Sequence, residues 1–357
     1  MINHHPLRVL IFGAGAIGTY IGCSLYHAGS SVVFLERPEV ASDLHIRGLR
    51  LNLPGGELSI SIPNIARSIE EALQNGPFDV GIFALKSFDT PSALQRLSPF
   101  KDNLPPVLCL QNGVDNEAAL AAELGPEKVI PGTVTSALSR RTAGDIVLER
   151  KRGMGIGAGH PLSTRLCFEM NLAGLNAHLY NHSKDMKWSK LMTNLLANAS
   201  SAILDMVPAQ VFAHPELFRL EIAQIKETLA VMQAQEIRVV DLPSTPVRLL
   251  ALAVRRLPTW LSQPLIQRAL GTGRGGKMPS LHIDLQTGRG KSEVSDLNGA
   301  VVQYGERLGI PTPTNRLLYQ TLVQLVNKEI PWEDFRHQPN RLLQGWKTLL
   351  NQSSMNR

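Results

Sequence analysis

Cysteine is scarce in this sequence of 357 residues: Cys23, Cys109 and Cys167 are far apart and form no CxxC pair. A small, odd and dispersed set argues against a disulfide framework and against a zinc site, and it fits a reducing compartment. We therefore expect neither structural disulfides nor a bound metal.

Long apolar runs are also missing. The first apolar run, Val9–Phe12, is short and is followed at once by glycines, so it cannot span a bilayer. No charged segment, apolar segment and cleavage site follow one another as they do in a secretion signal. The sequence therefore predicts a cytoplasmic protein with no membrane partner.

Charge and aromatic content argue against a nucleic-acid-binding protein. The net charge is +6 and aromatic residues make up 5% of the chain. The basic residues are dispersed, and no aromatic residues interleave with their few clusters, whereas nucleic-acid surfaces often combine the two. We expect no nucleic-acid partner; the positive charge suits a small anionic ligand.

The chain is longer than a single core usually grows, and its character changes near residue 180. Before that point, apolar runs such as Ser31–Arg37 and Phe78–Lys86 alternate with helical segments, which is typical of a parallel sheet covered on both faces. Gly144–Arg150 and Gly153–Gly159 predict an antiparallel edge that closes this sheet. Residues 1–180 are therefore predicted to form an α/β domain with a mostly parallel sheet.

The second part of the chain has helical spacing of its apolar residues in one segment after another. Residues 181–357 are predicted to form an all-α domain. Prolines and glycines interrupt the pattern at 243–279, where two short amphipathic helices are predicted. Because this segment has few lysines and several prolines, we favour a packed helical insertion over a membrane-surface element.

Gly13, Gly15 and Gly18 form the pattern G-x-G-x-x-G between a predicted strand and a predicted helix. The first glycine permits the tight turn, the second lets the backbone approach a pyrophosphate, and the third allows close helix–strand packing. This context predicts a Rossmann-type dinucleotide site in the N-terminal domain. Its predicted cofactor-binding residues are Gly13, Ala14, Gly15, Ala16, Ile17 and Gly18.

The ends of three predicted strands carry further polar residues. Glu36 and Arg37 end the second strand: an acid there binds the ribose hydroxyls of NAD, whereas an arginine pairs with the 2′-phosphate of NADP. Lys86 and Asn112 follow two later strands, at the sheet edge where such folds bind ligands. The residues alone predict a cofactor-lined crevice and leave NAD and NADP both open.

A second polar feature lies between Trp188 and Leu204, which the apolar spacing predicts to be one helix. Lys190, Asn194 and Asn198 are four residues apart, so they form a continuous file beside an apolar one. Two interpretations fit the helix alone: a solvated edge, or a row of hydrogen-bonding groups that faces a cleft. An exposed edge more often carries Glu, Gln or Lys than Asn, but the helix alone still favours the solvated edge, so the rest of the chain has to decide between the two.

Near the C-terminus, Glu293 is predicted to begin a helix that continues through Val302, with Ser292 as its N-cap. A carboxylate in the first turn is also favoured by the helix dipole alone.

Six segments in a fixed order point to one family. They are the glycine turn, "ALKS", "LQNG", "WSKLMTNLLANASSAI", "PSLHIDLQTGRGKSEVSDLNG" and "GIPTPTN". Together they resemble the ketopantoate reductase (2-dehydropantoate 2-reductase) family, over most of the chain from Leu7 to Lys328. The resemblance implies a Rossmann domain that binds NADP, joined to a helical domain. It also implies NADPH-dependent reduction of the 2-keto group of ketopantoate to pantoate, on the route to pantothenate and coenzyme A.

The resemblance further implies roles for single residues. Lys190 would be the general acid, and Glu293 would bond the substrate hydroxyl and lie beside both the lysine and the cofactor. The substrate would be held by Asn194, Asn198 and Ser280, and the cofactor would be lined by Lys86, Asn112, Ser136 and Arg37. Arg37 would meet the 2′-phosphate, so NADP is favoured over NAD. The chain departs from the family pattern by one extra residue before Glu293, by Ala199 for a proline and by Pro208 for an asparagine.

The assigned residues suit carbonyl reduction. Hydride delivery to a ketone produces an alkoxide that needs a proton donor, which a lysine ammonium provides, while neutral amides orient the substrate oxygens. The alternatives are a reductase of another 2-keto, hydroxy or amino acid and a non-catalytic nucleotide-binding protein. The expected partner is a small 2-keto acid, with a homodimer through the helical domain expected only by analogy.

Overall fold

The computed structural model of this protein describes residues 5–261, 263–264, 266–267 and 276–355. The described chain divides into two compact units. The first unit contains the chain up to Gln111, together with Asp115–Lys187 and Leu242–Thr245. The second contains Asn112–Val114, Trp188–Asp241 and the chain from Pro246 onward. The sequence places the domain boundary at residue 180, a few residues before this division along the chain.

In the part of the chain that the structure describes, every strand lies in the first unit. In chain order they are β1 (Arg8–Phe12), β2 (Ser31–Leu35), β3 (Leu49–Leu53), β4 (Gly56–Ile60), β5 (Asn64–Ala66), β6 (Val80–Phe83), β7 (Val107–Cys109), β8 (Val129–Val134), β9 (Ala137–Thr142), β10 (Asp145–Arg150), β11 (Met154–Gly157) and β12 (Ala177–Tyr180). Eight of them form one sheet in the order β12-β11-β8-β7-β6-β1-β2-β5. Every pair in it is parallel except β8 with β11, which confirms the predicted mostly parallel α/β fold.

Alternate residues of β1 explain why its sequence is apolar throughout. Val9 and Ile11 belong to one buried cluster, whereas Leu10 and Phe12 belong to a second cluster on the opposite face. Because successive side chains of a strand point to opposite faces, both faces of the sheet are covered. Full burial of each such side chain contributes roughly 1.5–3 kcal/mol, so the central strands hold the glycine turn on a rigid base.

The prediction of one sheet closed by an antiparallel edge is wrong in part. Met154–Gly157 does pair antiparallel with β8, but β12 lies beyond it as the edge strand. Asp145–Arg150 lies in a separate sheet of four strands, in the order β4-β3-β10-β9. Its apolar side chains, Ile146 and Leu148, pack into the same buried cluster as Tyr20 of the first helix, so the alternation reflects a second small layer.

The helices of the first unit are α1 (Ala16–His27), α2 (Pro38–Arg47), α3 (Ile69–Gln74), α4 (Thr90–Leu97), α5 (Asn116–Leu124) and α6 (Ser163–Leu172). The remaining helices are α7 (Ser183–Leu195), α8 (Ala199–Leu204), α9 (Pro208–Ala213), α10 (Pro215–Ala234), α11 (Val247–Arg256), α12 (Ser280–Gln286), α13 (Ala300–Leu308), α14 (Pro313–Val326) and α15 (Pro339–Met355). A π-helical segment, Ser295–Gly299, precedes α13. Within the described ranges, no helix combines the length and the apolar character that crossing a membrane requires.

Helix α10 is the centre of the second unit, where it contacts α9, α11, α13, α14 and α15. The helical character predicted for this part of the chain is confirmed. Of the predicted insertion at 243–279, α11 packs through Val247, Ala251 and Val254, while 262, 265 and 268–275 lie outside the described residues.

Two predicted helices differ from the structure. The helix predicted from Trp188 to Leu204 is two helices, because Leu196–Asn198 form a turn between α7 and α8. The helix predicted to begin at Glu293 begins later, because Glu293 and Val294 lie in a turn. The Ser292 hydroxyl accepts from the N–H of Val294 at 3.3 Å, within that turn and ahead of the helix. The backbone then follows the wider π-helical path before α13.

Candidate functional site

The glycine turn joins β1 to α1 as the sequence predicts. Gly13 has φ +92, a conformation that strains any residue with a Cβ. A Cβ on Gly18 would lie 1.9 Å from the carbonyl oxygen of Gly13, so only glycine permits this packing of the helix on the turn. A Cβ on Gly15, by contrast, would meet no atom within 4 Å. The space beside Gly15 is therefore open to a ligand.

The start of α1 fits an anionic group. Gly15 is the N-cap of α1, and the first turn of this helix carries no acidic side chain. The first N–H groups of a helix have no partner within that helix and bear partial positive charge. These features fit the pyrophosphate of a dinucleotide, with Ala16 and Ile17 in the first turn.

Glu36 is hydrogen-bonded to the glycine turn. Its Oε1 accepts from the N–H of Ala14 at 2.6 Å, and its Oε2 accepts from the N–H of Arg37 at 3.1 Å. Both carboxylate oxygens thus bind backbone donors of this chain. Arg37 is exposed directly before α2, where its guanidinium is accessible to a phosphate.

The other predicted cofactor residues of the first unit differ in environment. Lys86 is half-buried and comes three residues after the end of β6, before a short 3-10 turn. Ser136 is tied into the fold, because its hydroxyl accepts from the N–H groups of Arg152 at 3.1 Å and Gly153 at 3.0 Å. Its Oγ also lies 3.3 Å from the hydroxyl of Tyr20.

A second lysine on α7, Lys187, was not singled out by the sequence analysis. Its side chain is buried, and its Nζ lies 2.6 Å from Oε1 of Glu117 and donates to the carbonyl oxygen of Gln111 at 2.8 Å. Burial lowers the pKa of Lys187, but the Glu117 carboxylate more than offsets this, so the pKa is raised. Lys187 is thus a charged group bound on several sides within the first unit.

Lys190 and Asn194 lie one turn apart on the same face of α7, as predicted. Lys190 is half-buried and Asn194 is buried. The side-chain amide of Asn194 donates to Oδ1 of Asn112 at 2.9 Å. A residue predicted from a strand end and a residue predicted from a helix therefore belong to one hydrogen-bonded group.

Asn198 is not a third member of the same helical file, because the turn at Leu196–Asn198 separates it from α7. Its Nδ2 donates to the carbonyl oxygen of Asn194 at 3.0 Å and lies 3.4 Å from the hydroxyl of Ser280. Its Oδ1 accepts from the N–H of Leu281 at 3.1 Å. Asn198 thus fixes the start of α12, and with it Ser280, beside Asn194.

Glu293 is buried with an exposed fraction of 2%. Its N–H lies 3.4 Å from Oδ2 of Asp284, a residue of α12 that is also buried. The turn that holds Glu293 is thereby joined to the helix that begins at Ser280.

The sequence analysis also missed two residues of α10, Glu221 and Gln224, which bind the turn between α7 and α8. A signal was present in the sequence. Glu221, Gln224 and Thr228 are spaced by three and four residues between Leu217 and Met232, on a face that is otherwise apolar. Polar side chains in such positions require internal partners.

A dinucleotide turn on a parallel sheet, followed by helices that carry a half-buried lysine beside buried amides, defines a nucleotide-dependent oxidoreductase. The comparisons with known proteins agree. The family model described as "Ketopantoate reductase PanE/ApbA" matches residues 9–161, and its C-terminal counterpart matches residues 183–326. The chain belongs to this family, which confirms the resemblance seen in the sequence, and it is an enzyme.

Relatives match nearly the whole chain at low identity. The 2-dehydropantoate 2-reductase of Archaeoglobus fulgidus is 27% identical over 319 residues, which cover 87% of this chain and 95% of the relative. The crystal structure of a PanE/ApbA family ketopantoate reductase from Ralstonia eutropha JMP134 is similar with a TM-score of 0.76 and 26% identity, covering 90% of this chain and 99% of the other. A ternary structure of D-mandelate dehydrogenase with NADH and anilino(oxo)acetate has the same fold, with a TM-score of 0.74, 20% identity and coverage of 90% and 99%.

Proposed function

We propose that this enzyme reduces the 2-keto group of ketopantoate to the hydroxyl of pantoate with NADPH, and that Lys190 is the general acid. The observation that carries the proposal is the hydrogen bond of 2.9 Å between Asn194 and Asn112, one turn from Lys190 on α7. It joins a residue expected along the cofactor to a residue expected on the substrate, on the helix that carries Lys190, whose ammonium can give a proton.

The chemistry divides between cofactor and protein. When bound, NADPH supplies the hydride that the carbonyl carbon accepts. The carbonyl oxygen then holds the released electron pair as an alkoxide, and the Lys190 ammonium gives it a proton and becomes an amine, which solvent reprotonates. Asn194 and Ser280 orient the substrate oxygens without adding charge, and buried Glu293 lies in the turn joined to α12.

The proposed preference for NADPH is supported by Glu36 and Arg37. Because both oxygens of Glu36 accept from backbone N–H groups, part of the hydrogen-bonding capacity of this carboxylate is used within the protein. Arg37 is exposed and can pair with a 2′-phosphate through two parallel hydrogen bonds.

An absorbance assay of reduced nicotinamide tests the proposal, with ketopantoate and a panel of other 2-keto acids, each with NADPH and with NADH. We expect the highest kcat/KM for ketopantoate with NADPH. The fold is shared with D-mandelate dehydrogenase, so the panel should include aryl 2-keto acids such as benzoylformate. Faster turnover of another acid would replace the proposed substrate, and no turnover of any acid would refute the proposed reaction. Analytical ultracentrifugation would test the expected homodimer.

A further inference from the structure

The turn between α7 and α8 contains a residue in an unfavourable conformation. Ala197 has φ +49 and is completely buried. An L-residue other than glycine seldom adopts this left-handed conformation unless its surroundings impose it. The N–H of Ala197 donates to Oε2 of Glu221 on α10 at 2.7 Å, which is a strong bond because the acceptor is a carboxylate.

Glu221 and its neighbour on α10 hold both sides of this turn. The hydroxyl of Ser200, in the first turn of α8, donates to Oε1 of Glu221. The side-chain amide of Gln224 donates both to Glu221 and to the carbonyl oxygen of Leu195, the last residue of α7. One carboxylate and one amide therefore connect the end of α7, the turn and the start of α8.

The conformation of the turn determines where Asn198 lies, because Asn198 directly follows Ala197. From there Asn198 reaches the carbonyl oxygen of Asn194 and the start of α12 at Ser280. We propose that Glu221 is a positioning residue of the active site: its carboxylate holds Ala197 in the left-handed conformation and thereby fixes Asn198 and Ser280. This inference rests on the proposed function, in which Asn194 and Ser280 orient the substrate.

The charge state of Glu221 supports this role. Burial raises the pKa of the Glu221 carboxyl and hydrogen bonds from Ser200, Ala197 and Gln224 partly offset this, so that the pKa is raised to about 7. Three donors suit the ionised form, which therefore prevails above neutral pH. The folded protein keeps the Glu221 proton to higher pH than the unfolded chain does. This carboxyl therefore makes the free energy of unfolding fall as pH rises from about 4.5 to about 7, with no further decrease above that pH.

Within the described part of the chain, the side chains that hydrogen-bond to this cluster from the neighbouring elements are uncharged amides. Beyond Gln224 they are Asn298 of the π-helical segment, which donates to Gln224 Oε1 at 3.1 Å, and Asn315 of α14, which donates to the Gln224 carbonyl oxygen at 3.0 Å. The next acid along α10, Glu227, accepts from the N–H groups of Thr314 and Asn315. Burial raises the pKa of Glu227 as well.

Three variants distinguish the positioning role of Glu221 from the effect of its charge. Glu221→Leu removes the acceptors and should raise KM for the keto acid about tenfold, with kcat and the Kd of NADPH close to wild type. Glu221→Gln keeps an acceptor for Ala197 and offers a donor to Ser200, so KM should stay low. We expect ionisation of Glu221 to change the KM of the wild type near pH 7, and this change should be absent in Glu221→Gln. Adding Ala197→Gly to Glu221→Leu should recover much of the loss, because glycine adopts the left-handed conformation without strain. A folded Glu221→Leu enzyme with wild-type KM would overturn the inference.

A measurement without substrate keeps the inference testable if Glu221→Leu does not fold. In protein labelled with 15N-alanine, the amide resonance of Ala197 should shift with a midpoint near pH 7 in the wild type and should not titrate in Glu221→Gln. A wild-type resonance that does not move between pH 5 and 9 would refute the bond to an ionising carboxylate. Because this spectrum needs no reaction, its outcome is independent of the keto-acid panel that tests the proposed function.

Discussion

The glycine turn of the first unit and the α7–α8 turn of the second unit use the same device. In each, a residue with positive φ precedes a helix, and a carboxylate more than twenty residues later accepts a backbone N–H of the turn. Gly13 has φ +92 and the following N–H of Ala14 binds Glu36, while Ala197 has φ +49 and its own N–H binds Glu221.

The difference between the two turns lies in what enforces them. Glycine adopts the left-handed conformation without a side-chain clash, so the first turn is encoded locally by Gly13 and by the close approach at Gly18. Alanine does not, so the second turn depends on a carboxylate that α10 brings in and that is fully buried. A local motif thus prepares a surface for the cofactor, whereas tertiary structure shapes the predicted substrate residues.

The largest effect is expected at Lys190. If it is the general acid, Lys190→Ala should lower kcat by roughly 10²–10⁴-fold while NADPH still binds. Lys190→Arg should not restore full activity, because a guanidinium does not readily give up its proton. Steady-state kinetics and fluorescence titration with NADPH measure the two quantities, and Lys226→Ala, which removes an exposed lysine of α10, is the control. Near-normal turnover in Lys190→Ala would refute the mechanism.

The sequence predicted those features that depend on local periodicity and on the glycines. It predicted the parallel sheet, the helical second part and the file that contains Lys190 and Asn194. It did not predict the turn at Ala197, because helical spacing continues through "NLLANASSAI" and the acceptor lies on another helix. It did not predict the second small sheet either. The alternation of apolar and polar residues in β10 shows that one face of the strand is covered, but it does not show which part of the fold covers that face.

The pair of lysines on α7 makes a second comparison, since Lys187 and Lys190 are three residues apart but differ in burial. Lys187→Met would leave the half-buried Glu117 without its partner, which should lower the free energy of unfolding by up to about 3–5 kcal/mol. Combining it with Glu117→Leu should recover most of the loss, because an apolar pair avoids the cost of burying charges. Urea denaturation measures both. A stable Lys187→Met protein without activity would instead make Lys187 the proton donor.

Substitutions can also distinguish the roles of two glycines of the first turn, Gly15 and Gly18. Gly18→Ala places a methyl group on the carbonyl oxygen of Gly13, so it should lower stability by about 1–3 kcal/mol. Gly15→Ala meets no atom within 4 Å and should leave the melting temperature unchanged. It should still raise the Kd of NADPH about tenfold or more, because its methyl group occupies space that the pyrophosphate needs. A Gly15→Ala enzyme with unchanged Kd would place the cofactor away from this turn.

The smallest effect is expected at Arg37, which is exposed and therefore screened by solvent. Arg37→Ala should raise the Kd of NADPH about tenfold and leave that of NADH nearly unchanged, because only NADPH carries the 2′-phosphate. The difference should shrink as salt concentration rises, and calorimetric titrations with both cofactors at two salt concentrations measure it.

Glu36→Gln is the matched variant: its side-chain oxygen can still accept from Ala14, so the turn keeps its shape while a negative charge beside the phosphate is lost. It should therefore strengthen NADPH binding modestly. Equal losses for the two cofactors in Arg37→Ala would show that Arg37 does not bind the phosphate, and the preference for NADPH would then need another residue.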